Sequence, residues 1–318
     1  MKRNYTTSIC QSRRSHKLAQ AIWSRRHRAR FLLVILSLGA VLGVHCALGK
    51  SERALAAAQT NTIIALTANN QLLQFNAAAP GAIISTLSVK GLQAGDTLAG
   101  IDFRPAKGQL YGLGVNGATG RLYTISLLTG TAAQVGTGFA LPQSAGAAVG
   151  KDYGFDFNPT VDRIRVVADS RDNFRLHPDT GAVAGADFAL TEGAVVVGAA
   201  YDRNFAGSKM TTLYGIDANT DQLVTIGGID SAPSPNGGVV RPVGPLGVNT
   251  SALVGFDITV GDEGMAFATL TVDNKAGLYA IYLASGTATL VGTIGATAPI
   301  VDIAVAPPAT SQSQSRLQ

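Results

Sequence analysis

The stretch Ile300–Pro307, IVDIAVAP, lies almost at the end of the chain, yet it reads as the beginning of a repeat. One aspartate stands among apolar residues. An aspartate set in an apolar strand also occurs in LAGIDFRP (98–105), DYGFDFNP (152–159) and LVGFDITV (253–260). VVGAAYDR (196–203) has Ala200 at the aspartate position and Asp202 two residues later. The four internal copies are each followed by a second strand: QLYGLGV (109–115), RIRVVAD (163–169), TLYGIDA (212–218) and MAFATLT (265–271). A third strand follows after a turn: RLYTISL (121–127), NFRLHPD (173–179), QLVTIGG (222–228) and GLYAIYL (277–283). The fourth is rich in Val and Gly, as in TAAQVGT (131–137). Thr129-Gly130-Thr131-Ala132 returns as Ser285-Gly286-Thr287-Ala288, 156 residues on, or three units of about 52.

IVDIAVAP has no second, third or fourth strand after it. The first segment past residue 60 has the opposite deficit. TIIALTA (62–68), NQLLQFN (70–76) and AIISTLS (82–88) match strands two, three and four, with no first strand before them. The terminal pieces therefore complete one another. This permutation predicts an all-β fold, a β-propeller of about five four-stranded blades, closed by pairing of strand 300–307 with the N-terminal blade. A β-sandwich leaves the permuted repeat without an explanation. Residues 60–307 form the expected domain, and 308–318, PATSQSQSRLQ, a polar disordered tail.

The net charge of +5 belongs to the N-terminus. Residues 1–58 hold eleven of the 25 Lys/Arg and one of the 20 acids, Glu52, so the rest of the chain is acidic by five. That balance argues against nucleic acid as a partner. Nine Lys/Arg precede the apolar run Phe31–Leu48, and Ala54-Leu55-Ala56 and Ala56-Ala57-Ala58 offer small-residue cleavage patterns. Residues 1–58 read as a signal peptide or, if uncleaved, a signal anchor with its apolar core at 31–48. Both place the body outside the cytoplasmic membrane, secreted, periplasmic or anchored, and any membrane contact is through this segment alone. Arg13-Arg14 and Arg25-Arg26 lack the apolar pair of a twin-arginine signal, and His45 spoils a lipoprotein box at Cys46.

Cys10, Cys46 and three of the four histidines also lie in this segment, which leaves the body no disulfide, no thiolate site and one histidine, His177. It contains no G-x-S-x-G, H-E-x-x-H or P-loop. Gly112-Leu113-Gly114 lies within a strand rather than before a helix. Enzymatic activity is therefore left open, with a binding or interaction module for an unknown extracytoplasmic ligand or protein as the leading expectation. The alternative is a metal-dependent, hydrolase-like enzyme with its site at the channel.

Three motifs, LAGIDFRPAKGQLYGLG (98–114), YGFDFNPTVDRIRVVAD (153–169) with NFRLHPDTG (173–181), and TLYGID (212–217), resemble the bacterial family called domain of unknown function 4394. The resemblance covers roughly residues 60–307. It implies exported, repeat-built β proteins and supplies no catalytic residues.

Two sets of residues are candidates for chemistry. Asp102, Asp156, Asp257 and Asp302 share one place in the first strands, which line a propeller channel. Converging carboxylates suit Ca²⁺, a hard cation that takes oxygen ligands. They equally suit a structural role, as acceptors for the amides of an adjoining blade, and on that reading no cofactor is needed. The second set is Arg165, Arg175 and His177. Set against the repeats, Arg165 replaces Tyr111, Tyr214 and Phe267, Arg175 aligns with Leu73, Tyr123, Val224 and Tyr279, and His177 aligns with Phe75, Ile125, Ile226 and Ile281. Two guanidinium groups on one face suit a carboxylate or phosphate. They also suit an internal network with acids such as Asp156, Asp162, Asp169 or Asp172. The D-x-N-x-D at Asp217–Asp221 has Gln222 and Gly228 where a calcium loop needs Gly and Glu, and reads as a turn.

Overall fold

The computed structural model describes residues 61–143, 150–261 and 264–308. The leader expected in residues 1–58 and the tail from 309 onward lie outside them. No helix among the described residues is long and apolar enough to cross a membrane.

Twenty strands form five antiparallel sheets of four. The first blade contains β1 (Thr62–Thr67), β2 (Gln71–Asn76) and β3 (Ile83–Ser88). The second contains β4 (Thr97–Arg104), β5 (Gln109–Asn116), β6 (Thr119–Ile125) and β7 (Ala132–Ala140). The third contains β8 (Tyr153–Asn158), β9 (Arg163–Ala168), β10 (Asn173–Leu176) and β11 (Val183–Ala186). The fourth contains β12 (Val196–Tyr201), β13 (Leu213–Asp217), β14 (Gln222–Ile226) and β15 (Val240–Pro245), and the fifth β16 (Val254–Ile258), β17 (Ala266–Val272), β18 (Lys275–Ile281) and β19 (Ala288–Thr293). β20 (Ile300–Val305) returns to the first blade, pairing antiparallel with β1 from Ile63↔Val305 to Thr67↔Ile300. The order β20-β1-β2-β3 is the closure that the permuted repeat predicts. The fold is a five-bladed β-propeller.

Turn chemistry defines the hairpins. Between β17 and β18, Asp273 and Asn274 both have positive φ, and Val272 pairs with Lys275 across them. That is the two-residue turn whose twist suits a hairpin. The turns joining third and fourth strands repeat a pattern in which a glycine amide bonds back to the residue four earlier: Gly130 to Ser126, Gly181 to His177 and Gly286 to Tyr282. All three glycines have φ near +70 to +80°.

The core lies between blades. Apolar clusters fill the interfaces, such as Phe155, Phe157 and Phe174 with Tyr111 and Leu122, or Phe256 and Leu270 with Ala200 and Leu223. Burial on both faces explains why inner and middle strands lack a strict polar alternation. A glycine two residues before the ring position lets the inner strands approach. A Cβ on Gly154 would lie 2.6 Å from the Ala199 nitrogen, and one on Gly255 would lie 2.5 Å from the Ile303 nitrogen. Asp102, Asp156 and Asp257 thus share a Gly-x-Asp pattern, whereas Asp302 has Ile300 in the glycine's place.

Candidate functional site

The inner strands bring the four aspartates to the axis, each buried. Asp102 accepts the amide of the next residue, Phe103, on Oδ1 (2.6 Å) and that of Phe157 in the third blade on Oδ2 (2.8 Å). Asp257 accepts Ile258 on Oδ1 (2.5 Å) and Val305 on Oδ2 (2.6 Å). Asp302 accepts Ile303 on Oδ1 (2.9 Å) and Ile101 on Oδ2 (2.8 Å). Asp156 spends Oδ1 on the Tyr201 amide (3.0 Å). Each carboxylate therefore fastens its own blade to the next one. The fourth blade has Ala200 in this place. There Asn204 takes over with reversed polarity, its Nδ2 donating to the Ile258 carbonyl at 3.4 Å.

Asp102, Asp156 and Asp257 also converge, with one carboxylate oxygen of each within 4.8 Å of the others. Asp302 stays outside this trio. Its Oδ2 meets the residue before Asp102, whereas Asp102 meets the residue after Asp156, so the seam between first and second blades is offset along the axis. No cationic side chain pairs with any of the four among the described residues. Burial pushes Asp102, Asp156 and Asp302 well above the usual carboxylate range, and Asp257 up to about 7. After burial, the charge of Asp257 acts most strongly on Asp102, and that of Asp102 on Asp156. Crowded, buried carboxylates need either protons or a cation between them. The oxygen spacing suits one Ca²⁺, whose ligands lie about 2.3–2.6 Å from the ion. Both oxygens of Asp102 and Asp257 already hold amides, however, so the amide clasp is the role visible in their contacts.

In the third blade, Arg165 and Arg175 face one another as a cross-strand pair. Asp187, just past β11, lies between them. Its Oδ2 accepts Arg165 Nη1 (2.6 Å) and Arg175 Nε (2.8 Å), and its Oδ1 accepts Arg175 Nη2 (2.8 Å). Asn173 and Asn236 complete the buried Arg165 fork, each at 2.6 Å. Two guanidinium groups opposed across a pair repel unless an anion separates them. Asp187 is that anion, in place of the four acids nearer in sequence.

The register corrects the alignment of Arg175 and His177 by one residue. Arg175 corresponds to Thr124, Thr225 and Ala280, the partners of Tyr111, Tyr214 and Phe267. It replaces small or polar residues rather than packing ones. His177 lies beyond β10 and corresponds to Ser126 and Tyr282, the first residues of the glycine-closed turns. The cause is the longer turn between β9 and β10, where Val167 pairs with Asn173; a one-residue slip moves a side chain to the other face. His177 Nδ1 accepts the Asp179 amide at 3.2 Å.

Asp179 and Asp162 bind the second blade. The buried Arg104 makes a two-toothed contact with Asp162, and its Nη1 reaches Asp179 Oδ1 at 2.6 Å. Those hydrogen bonds raise the Arg104 pKa and lower that of Asp179. Arg104 looks like an ordinary strand-end arginine in FRP, and no sequence signal marked it.

The family model described as Domain of unknown function (DUF4394) matches residues 71–304. The chain belongs to the DUF4394 family. No curated protein matches it. Among solved structures it is similar to a chain of a nidogen/laminin complex, at 12% identity over 79% of this chain and 99% of that one, with a TM-score of 0.47. It is also similar to a functionally unknown protein from Desulfotomaculum acetoxidans, at 12% identity over 74% and 67%, TM-score 0.36. A third is TolB from Acinetobacter baumannii, at 13% identity over 79% and 67%, TM-score 0.42.

The DUF4394 propeller has one further asymmetry. In each sheet the loops joining strands one to two and three to four emerge at one end, and the inner strands run side by side in one direction. These loops therefore share a face. Eight of the eleven exposed large apolar residues among the described residues lie in them: Leu127, Leu128, Val161, Met210, Ile229, Val239, Val260 and Tyr282. None lies in the short turns joining strands two and three.

Proposed function

We propose that this DUF4394 propeller is a non-catalytic binding module that works outside the cytoplasmic membrane, and that the face formed by these loops is its contact surface for a protein partner. The observation that carries this reading is the gathering of exposed apolar side chains on that face. Scattered surface hydrophobics need no explanation, but their concentration on one side of a molecule marks interaction surfaces. The fold supports the reading, because loops on a rigid scaffold vary without cost to the core. The extracytoplasmic setting rests on the basic, apolar and small-residue pattern of residues 1–58. A metal-dependent reaction would have to use the carboxylate trio, whose oxygens are largely engaged by amides.

Leu128→Asp and Ile229→Asp test the proposal. Leu128 is 90% exposed, so both variants are expected to melt within a few degrees of the wild type. Native gels of the exported protein should show a complex with the wild type and its loss in each variant. A complex that survives both substitutions overturns the assignment of the face.

A further inference from the structure

The opposite end of the ring carries a cleft of about 290 Å³, near the lower bound of small-molecule sites. It opens where β4, β8 and β20 begin. Leu98, Val115 and Val301 form its apolar wall, Ala68 borders it, and Lys151 and Asp152 stand at its edge. Small residues keep it open.

The edge is built and held. The Lys151 amide donates to Asp169 Oδ1 at 2.9 Å, the Asp169 amide to the Asp152 carbonyl at 3.1 Å, and the Tyr153 hydroxyl to the Gly150 carbonyl at 2.8 Å. These bonds pin 150–153 to the turn after β9. The backbone that carries Asp152 is thereby held before any ligand arrives, which lowers part of the ordering cost of binding. That carboxylate is half-buried, and it accepts no hydrogen bond and makes no ion pair among the described residues. Burial and the neighbouring charge of Asp169 both raise its proton affinity, partly offset by Lys151. A half-desolvated acceptor beside an apolar wall lacks only a donor with positive charge.

We propose that the cleft binds a small primary ammonium group, its alkyl body lying on Leu98, Val115 and Val301 and its –NH₃⁺ taken by Asp152. A free alkylamine and the amino-terminus of a short peptide share this chemistry. An ammonium supplies three donors to a carboxylate that has none, and charge-assisted bonds of this kind are about twice as strong as neutral ones.

Calorimetric titration of the full-length protein with n-pentylammonium chloride tests the proposal. Saturable 1:1 binding is expected, and 1-pentanol, with the same body and no charge, should bind roughly tenfold or more weakly. Asp152→Asn should lose a similar factor while melting like the wild type, and Ala68→Leu, which fills the cleft from an exposed position, should also abolish binding. Leucylglycine compared with its N-acetyl form identifies the source. Binding of the free dipeptide alone points to peptide termini, and binding of the alkylamine alone points to free amines. Absence of saturable binding by every amine, or an Asp152→Asn variant that titrates like the wild type, overturns the proposal. Either result leaves the loop-face reading intact, since that surface lies at the other end of the ring.

Discussion

Asp102, Asp156, Asp257 and Asp302 hold protons more tightly in the fold than in an unfolded chain, where such groups titrate near 3.8. Their favourable contribution is complete below that value and is lost as pH rises through the folded values, near 7 for Asp257. The urea midpoint should therefore be lower at pH 8 than at pH 5, and an equal or higher midpoint at pH 8 contradicts the account. The opposing shift at Asp179, which lowers its pKa, acts below this window. If Ca²⁺ takes the protons' place at pH 8, millimolar calcium raises that midpoint and EDTA reverses it; an unchanged midpoint assigns the trio to protons and amides. The ring position was legible because one blade's need recurs in its sisters. The exclusion of Asp302 from the converging trio was not, because it goes with an offset of the first blade at both its seams, where Asp257 meets Val305 and Asp302 meets Ile101, contacts between strands far apart in the chain.

At the scale of elements, strands were readable from apolar runs and turns from Gly, Asn and Asp, so four strands per unit emerged without side-chain geometry. Register was not readable. Turns of unequal length shift third strands against one another, and Arg175 and His177 changed neighbours by one residue in consequence. The partner of the arginine pair, Asp187, lies in the connector after β11, where the repeat leaves no pattern to align. Asp187→Ala would leave the buried Arg165 without its counter-charge, at a cost of about 3–5 kcal/mol. His177→Ala, half-buried in the turn after β10, should change stability by about 1 kcal/mol or less. Denaturant unfolding of the two variants checks the contrast; equal effects would mean that the arginines draw their stability from elsewhere.

At the scale of the whole molecule, closure depends on β20, which supplies the inner strand of the first blade and Asp302 for the seam with the second. A chain ending at Pro299 leaves β1 with an unpaired edge and uncovers the apolar cluster around Ile63, Phe75 and Phe267. It should lose cooperative unfolding and aggregate, as followed by circular dichroism and light scattering; a sharp melt like that of the full chain would show that the ring closes by other means. The proposed contact surface is a property of this same scale, because only the assembled ring gathers eight apolar side chains from loops scattered between residues 127 and 282. The central claim, that this face is the one presented to a partner, is tested most directly by a photoreactive amino acid placed at Leu128, Met210 or Ile229 and, at the other end, at Asn116 or Asp273, in cells that export the protein. The account predicts adducts from the first three positions and none from the last two. Adducts from both ends alike, or from neither end of a folded protein, would contradict it.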